Sequence, residues 1–334
     1  MSFQPKSCPR SDCPSHADSP FRFRSHGSFQ RRCDHRTVPR FLCLACSRGF
    51  SEQTFRVNYR LKRPDLLGRF FLDRISKVTH RQSARNHACS RSTEERHFQR
   101  LSQHCDAFHG VRLAEVAARG GLGEVFLLDE LETYEQHRTQ KPLTVPILIE
   151  RTSGFVLDVR VGALAGRVKS GQGKRHRPAR ELERDGERKS ESRQVVREAF
   201  ETLREVSPKQ GVISVLTDKK RTYAQLLQQL FGERCVHLTT SATRRRDVGN
   251  PLWPINHTLA RVRDNVSRLV RETWAAAKLR RCLAGQLAIW VCYRNYVRGR
   301  TNRQPWITPA MALGVQQQPW EVEDLLKWRI FARG

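Results

Sequence analysis

Apolar residues change their spacing twice along the chain, and these changes divide it into three predicted parts. Residues 1–58 are polar and punctuated by cysteines, 59–118 carry apolar residues at helical spacing, and 119–334 begin with short apolar runs typical of strands. With 334 residues, 38% of them hydrophobic, the chain is long enough for two or three domains and at least one sizeable core.

The third part predicts a sheet that alternates with helices. "VFLLD", "VPILIE" and "FVLDVRVG" are three consecutive strands, followed by the amphipathic helix "RQVVREAFETLREVS". A strand, a helix, a fifth strand and long helices come next. This order predicts an α/β domain with the mixed sheet and flanking helices of a ribonuclease-H-like fold, interrupted by an exposed basic insertion at 167–192.

Two aspartates stand at the ends of strands that this fold places side by side. Asp129 ends the first strand and Asp218 the fourth. Neighbouring carboxylates repel one another unless a cation neutralises them, and hard oxygen ligands favour Mg²⁺ or Mn²⁺. Two such ions promote displacement at a phosphodiester. The alternatives are that Asp129 is a solvated strand end and that Asp218 begins the turn before the next helix.

The acids that follow Asp129 are predicted to play supporting roles. Glu130 points to the opposite face of the strand, because side chains alternate. Glu132 and Glu135 are predicted to be solvated or paired with arginines.

The second part predicts three short helices. Leu66, Leu67 and Ile75 belong to an apolar stripe, Thr79 caps a second helix, and "SRST" opens a third. A polar third helix with several arginines is typical of a helix-turn-helix that binds a DNA groove. Its predicted DNA contacts are Arg91, Arg96 and Arg100. A plain helical linker is the alternative, because no glycine marks the turn.

The charge of the chain indicates a polyanionic partner. Lys and Arg number 61 against 33 Asp and Glu, a formal charge of +28 spread over the whole length. Such a distribution favours a long phosphate backbone over a small anion, although a basic protein could also coat RNA or anionic lipid. No apolar run long enough for a membrane span and no signal peptide is seen, so we expect a cytoplasmic, nucleoid-associated protein.

Four of the ten cysteines have the spacing of a zinc ribbon. Cys8 and Cys13 form one close pair, and Cys43 and Cys46 form the other. Two short knuckles of this kind aim four thiolates at one Zn²⁺, which would supply much of the stability of so small a domain. The first knuckle is slightly long, so other side chains between the pairs are alternative ligands: Cys33, His16, His26 and His35.

Several segments together resemble insertion-sequence transposases that have an N-terminal zinc ribbon, a helix-turn-helix and a DDE catalytic domain. They are "CPRSDC…FLCLACSRGFSEQTF", "LLDELETYE", "VLTDKKRTY" and "INHTLARVRDNVSRLVRETWAAAK", and the resemblance covers nearly the whole chain. It implies divalent-metal-dependent cleavage and transfer of DNA strands. The implied partners are double-stranded DNA at transposon ends, target DNA, and further copies of the chain in a homo-oligomer.

Carried over by position, the resemblance makes Asp129 and Asp218 the first two catalytic acids. The third, a glutamate in the family, falls on Asn256, whose amide oxygen can bind Mg²⁺ without contributing charge. Asp264 and His257 are alternative third ligands. Arginines after this position are expected to lie on one helix and to bind phosphates beside the cut: Arg261, Arg263, Arg268 and Arg271.

Two other functions stay open on the sequence alone. One is a non-catalytic DNA-binding protein derived from a transposase, in which the ribbon and helix-turn-helix do the work. The other is a ribonuclease-H-like nuclease that does not transpose DNA. The pairing of Asp129 with Asp218 favours an enzyme over a pure DNA-binding protein.

Overall fold

The computed structural model describes residues 3–16, 20–136, 138, 140–166, 188–270 and 275–329. Most of the predicted basic insertion at 167–192 lies outside the described residues, as does Arg271. The described chain is a mixed α/β structure with one small antiparallel sheet and one larger mixed sheet flanked by helices.

The small sheet occupies the cysteine-rich part of the chain. Its strands are β1 (Phe23–Gln30), β2 (Thr37–Cys43) and β3 (Gly49–Ser51), each antiparallel to the next. Phenylalanine rings in mutual contact cover one side of it: Phe3, Phe21, Phe23, Phe41, Phe50 and Phe55. A core of this size is too small to hold a fold by itself, so further ties are required.

One such tie joins the small sheet to the far end of the chain. The buried carboxylate of Glu52 accepts hydrogen bonds from Arg36 at 3.1 Å, Arg56 at 2.6 Å and Arg329 at 2.7 Å. The Arg329 guanidinium also lies 4.6 Å from the centre of the Phe3 ring. The ribbon region is therefore held against the C-terminal segment by charge-assisted hydrogen bonds, which are stronger than neutral ones.

Three helices follow the small sheet: α1 (Leu67–Ile75), α2 (His80–Asn86) and α3 (Arg91–Ala118). Thr79 caps α2, as its hydroxyl accepts the Gln82 N–H at 3.4 Å. The predicted short third helix instead runs 28 residues. It is long because buried residues recur along its whole length and pack against the C-terminal helices, as Leu101 and Phe108 do.

The larger sheet has the spatial order β6-β5-β4-β8-β9, with β7 paired to β5. The first three of its strands in the chain form an antiparallel meander, and β8 and β9 run parallel to β4. The strands are β4 (Val125–Tyr134), β5 (Pro142–Glu150), β6 (Val156–Val159), β7 (Gly162–Ala163), β8 (Ile213–Asp218) and β9 (Cys235–Thr240). The predicted meander and the two later strands are thus all present.

The remaining helices are α4 (Ser192–Val206), α5 (Arg221–Phe231), α6 (Trp253–Asn265), α7 (Arg280–Cys292), α8 (Pro309–Ala312) and α9 (Val322–Lys327). They bury both faces of the larger sheet, because side chains alternate along each strand. Phe126 and Leu128 of β4 belong to a core with α3, α4 and α5, whereas Leu127 and Leu131 belong to a second core with α6 and α7. The first core joins residues of the predicted 59–118 segment to the sheet.

The predicted arginine helix does not form as one element. Helix α6 ends at Asn265, and Ser267–Leu269 is a separate turn of 3₁₀ helix. The side chain of Arg268 is buried rather than turned toward DNA, and its guanidinium donates to Gln286 and lies 2.7 Å from the His80 Nε2 atom. The expectation that Arg268 lies on an exposed DNA-binding face is therefore wrong.

Arg268 belongs to a buried charge network that joins α2 and α3 to the C-terminal helices. Glu94 and Arg74 are both fully buried, with the Glu94 Oε1 atom 3.5 Å from the Arg74 Nη2 atom. The other Glu94 oxygen contacts the His80 imidazole. Burial lowers the pKa of His80 and favours its neutral form. Glu94 therefore supplies negative charge to two buried guanidiniums, those of Arg74 and Arg268.

Replacing Glu94 with Gln should lower the free energy of unfolding by about 3 kcal/mol or more, because it leaves buried guanidiniums without a counter-charge. Urea denaturation followed by tryptophan fluorescence measures the change. The matched control is Glu95→Gln on the same helix, which removes an exposed pair with Arg91 and should cost less than about 1 kcal/mol. Equal effects of the two substitutions would show that the network contributes no special stability.

Candidate metal centres

Four cysteine sulfurs converge beside the small sheet. Cys8 and Cys13 lie in the loop before β1, Cys43 ends β2, and Cys46 lies in the turn that follows. All four Sγ atoms lie within 4.8 Å of one another. The Cys8 and Cys46 sulfurs are 3.7 Å apart, and those of Cys13 and Cys43 are 3.9 Å apart.

These distances fit tetrahedral zinc. Zn–S bonds of about 2.3 Å at tetrahedral angles put neighbouring sulfurs roughly 3.8 Å apart. Burial raises the pKa of the Cys8 thiol to about 12, so a metal ion must displace a proton to bind there. The cluster is closed and mostly buried, which is typical of a structural rather than a catalytic zinc site.

Backbone hydrogen bonds shape both knuckles. The Cys8 N–H donates to the Ser15 carbonyl at 2.9 Å, and the Ser47 N–H donates to the Cys43 carbonyl at 3.0 Å. Of the alternative ligands, His16 donates from its Nδ1 atom to the Cys8 carbonyl oxygen, at 2.7 Å, rather than joining the sulfurs. Cys33, His26 and His35 are exposed and outside the cluster. The four predicted cysteines are therefore the side chains placed to bind a zinc ion.

A second candidate centre lies where β4 and β8 run side by side. The two strands are parallel and in register from Val125 opposite Ser214 to Leu127 opposite Leu216. Asp129 and Asp218 each lie two residues beyond this last pair, so they continue the same register on the same face of the sheet. Strand β4 does not end at Asp129 as predicted. It continues to Tyr134, because its pairing with β5 extends that far.

The two carboxylates act on each other electrostatically. Burial raises the pKa of Asp129 to about 6, and the negative charge of Asp218 adds to the rise. The Glu130 N–H, which donates to the Asp129 Oδ1 atom at 2.8 Å, and the positive charge of Arg246 oppose it. Asp218 also accepts the Lys220 N–H at 3.0 Å, so it begins the turn before α5 as well. A half-buried pair of like charges is a site at which a cation would be stabilised.

Helix α6, which carries Asn256, covers the face of the sheet to which Asp129 and Asp218 belong. Its residues Ile255 and Leu259 pack in the same core as Leu127 and Leu216, and Asn256 itself is half-buried. Within the described part of the chain, the cysteine cluster is the group of three or more potential ligands close enough to share an ion. The aspartate pair therefore has no third acidic or histidine partner among those residues.

The alternative third ligands lie in other environments. Asp264 is 76% exposed and pairs with the Lys77 Nζ atom at 2.8 Å. His257 stacks on Trp253 with ring centres 6.0 Å apart. Its pKa is lowered by burial and further by the positive charges of Arg261 and Arg294. Both side chains already have partners away from the aspartate pair.

Glu130 is the centre of a polar network that sequence reasoning missed. On the opposite face from Asp129, its carboxylate accepts from the Tyr223 hydroxyl at 2.6 Å and the Thr144 hydroxyl at 2.6 Å, and it pairs with Lys220. Burial opposes ionisation of Glu130, yet these donors outweigh it and lower its pKa. The network ties β4 to the start of α5 directly after Asp218, and so supports the position of both aspartates. The only indication of this network in the sequence is that Lys220 and Tyr223, which both contact Glu130, lie close together in "DKKRTY".

Arginines that are exposed or half-buried lie on several elements of the larger domain, and one of them is near Asp129. The run Arg244–Arg246 lies in an exposed loop between β9 and α6, and Arg246 is close enough to influence Asp129. On α3, Arg96 and Arg100 are exposed, and Arg91 is exposed and pairs with Glu95. Arg261 and Arg263 are half-buried on α6. The Arg244–Arg246 run was visible in the sequence but was not assigned a role.

The chain matches no protein-family model and no curated protein sequence. In the described residues, none of the helices combines the length and apolar character needed to cross a bilayer.

The zinc site predicts one equivalent of zinc per chain, bound by the four cysteines. Cys43→Ser should lose that zinc and lower the thermal unfolding midpoint, because a structural metal contributes folding free energy. Metal analysis of the purified protein measures the content. The matched control is Cys33→Ser, which removes an exposed thiol outside the cluster and should leave zinc unchanged. A full equivalent of zinc in Cys43→Ser would contradict the assignment.

The aspartate pair predicts a pH-dependent cost to the metal-free fold. Because the pKa of Asp129 is higher in the folded chain, the folded state binds more protons, and stability falls as pH rises from about 4 to about 6. Asp129→Asn should remove this fall and raise the thermal midpoint at pH 7.5 with chelator present.

Differential scanning calorimetry of both proteins at pH 4.5 and pH 7.5 measures the effect, with the exposed Asp247→Asn as control. The advantage of Asp129→Asn should be larger at pH 7.5 by roughly 2 kcal/mol, because a shift of about two pKa units costs roughly 3 kcal/mol in full and about 1 kcal/mol of that cost is already present at pH 4.5. An advantage that is equal at both pH values would contradict the raised pKa of Asp129 in the folded chain.

Proposed function

We propose that the chain is a DNA transposase that uses divalent metal to cleave and transfer strands at the ends of an insertion sequence. The observation that carries the proposal is the parallel pairing of β4 with β8, which aligns Asp129 with Asp218 on one face of the sheet. A +28 protein that binds nucleic acid only through its surface has no need of half-buried, mutually repelling carboxylates.

The sheet topology supports a ribonuclease-H-like domain. An antiparallel meander whose first strand is central, followed by two strands parallel to it on the other side, is the arrangement expected for that fold. The cysteine cluster supports the zinc ribbon of the same transposases. Exposed Arg96 and Arg100 on α3 support contacts with DNA phosphates, although α3 is a long, partly buried helix rather than a short recognition helix.

The residues at the site would divide the work as follows. Asp129 and Asp218 would hold Mg²⁺ or Mn²⁺. When bound, the metal would activate the attacking water or 3′-hydroxyl and stabilise the leaving oxygen of the phosphodiester. Glu130 of β4 contacts Lys220 and Tyr223, which follow β8, and so holds the two strands together from the opposite face of the sheet. Arg246, in its exposed loop, would bind the DNA phosphate next to the scissile bond. Asn256 would offer an uncharged oxygen ligand from α6.

Asn256 also favours a second candidate, a DNA-binding protein that descends from a transposase and has lost cleavage. An amide in place of a carboxylate holds a second metal ion less tightly, and Asp264 and His257 are occupied elsewhere. Under this alternative the ribbon and the arginines of α3 still bind DNA, but the aspartates have no catalytic role.

The test is nicking of a supercoiled plasmid that carries the DNA flanking the gene on both sides, in Mn²⁺. Asp129→Asn should lower the rate by about 100-fold or more while DNA affinity, measured by fluorescence anisotropy, stays unchanged. Asn256→Glu should raise the rate, because it restores a charged ligand, whereas Asp264→Asn should change neither rate nor affinity. Cleavage that is undiminished in Asp129→Asn would contradict the proposal, and absence of cleavage in every variant, Asn256→Glu included, would favour the second candidate.

A further inference from the structure

Four arginines from α6 and the segment after α7 gather at the turn between β5 and β6: Arg261, Arg294, Arg298 and Arg300. The Nη1 atoms of Arg261 and Arg294 both reach the carbonyl oxygen of Gly299, at 3.4 and 3.5 Å. The Arg300 guanidinium donates to the Thr152 carbonyl in the turn. We call this set the arginine cluster.

Arg294 is the buried member, with 5% of its surface exposed. Among the described residues, its only hydrogen-bond acceptor is the Gly299 carbonyl at the long distance of 3.5 Å, and its buried Nε atom has no partner. Leaving a buried guanidinium without hydrogen bonds or a counter-charge costs several kcal/mol. The native chain keeps this arginine in place all the same.

No described carboxylate forms an ion pair with any of the four arginines. The nearest acid in the turn, Glu150, is already occupied, since it accepts the N–H groups of Thr152 and Ser153 at 2.8 and 2.6 Å. Burial, together with the charges of Arg261, Arg300 and Arg298, lowers the pKa of Arg294 to about 9. The cluster is thus a strongly positive site without a negative partner from the described chain.

The cluster is open to a ligand on one side. Arg298 is exposed, and Arg261 and Arg300 are half-exposed. Gly299 lies so close to Pro305 that an added Cβ atom would come within 2.2 Å of the Pro305 carbonyl oxygen. That close approach fixes the Gly299 carbonyl to which both Arg261 and Arg294 point. The guanidiniums of Arg261, Arg294 and Arg300 therefore contact backbone carbonyls before any ligand arrives, which lowers the entropic cost of binding.

We infer that the arginine cluster is a binding site for a phosphate group, with Arg294 at its floor and Arg261, Arg298 and Arg300 at its rim. Guanidinium forks match the oxygens of phosphate and bind them with charge-assisted hydrogen bonds. The site lies at the β5–β6 turn, next to Arg151, whose N–H bonds to the Val125 carbonyl at the start of β4. It is separate from the Asp129 and Asp218 pair farther along the strands. Only its assignment to a DNA phosphate rests on the proposed function.

The experiment compares thermal unfolding of the full chain in sodium phosphate and in sodium chloride at equal ionic strength. Arg294→Met should unfold at no lower temperature than the native chain in chloride, because it removes an uncompensated buried charge. It should also lose most of the extra stabilisation by phosphate, a shift of about 2 °C or more in the native chain. Arg298→Ala should lose the same shift. Because its position is exposed, this variant should fold even if Arg294→Met does not.

The matched control is Arg112→Met, which removes a half-buried arginine already paired with Glu115 at 2.6 Å and should keep the full phosphate shift. A second arm measures how the affinity for duplex DNA depends on salt. If the ligand is the DNA backbone, Arg298→Ala should reduce the slope of log K against log salt by about 1. An unchanged slope together with a lost phosphate shift identifies a small phosphate-bearing ligand instead.

Retention of the full phosphate shift in both Arg294→Met and Arg298→Ala would contradict the phosphate-binding site, regardless of how the salt dependence of DNA binding changes. If Arg294→Met does not fold, Arg298→Ala alone decides. No strand cleavage enters either arm, so failure of the phosphate site and failure of the proposed transposase activity are separate results.

Discussion

The parallel pairing of β4 with β8 is the constraint on which the candidate active site depends. It brings Asp129 alongside Asp218. Burial raises the pKa of Asp129 to about 6, and repulsion between the two carboxylates adds to the rise. The surrounding structure withstands this repulsion because both strands lie between two apolar cores. Glu130, bonded to Lys220 and Tyr223, locks the start of α5 against β4 from the other face. The aspartate pair thus destabilises the sheet locally, whereas the apolar cores and the Glu130 network around it stabilise the sheet, as is common at functional sites.

Positive charge is used in three different ways in this molecule. Exposed arginines such as Arg96 and Arg246 are available to a polyanion. Arg268 is buried and belongs to the network around Glu94, so it stabilises the fold rather than binding DNA. Arg294 is buried without a counter-charge, which makes it the arginine for which an external anion is the natural partner. Net charge alone does not distinguish these roles.

Local patterns in the sequence predicted the strands of the larger sheet, the Thr79 cap and the four clustered cysteines, because alternation, capping and ligand spacing are short-range signals. The length of α3 was underestimated, since polar residues occupy buried positions along it: His97 and His104 are buried and bonded to backbone carbonyls. The Glu130 network and the arginine cluster join residues far apart in the chain, so no spacing in the sequence could reveal them. The end of α6 at Asn265 was missed because charged residues continue at helical spacing beyond it.

The claim that Asp129 and Asp218 form a divalent-metal site is tested most directly by titrating the zinc-loaded chain with Mn²⁺ at pH 7.5 and following bound Mn²⁺ by electron paramagnetic resonance. We expect saturable binding in the native chain that is lost in Asp129→Asn and in Asp218→Asn, and that persists in Asp264→Asn. Saturable binding of equal affinity in the native chain and in both aspartate variants would contradict it.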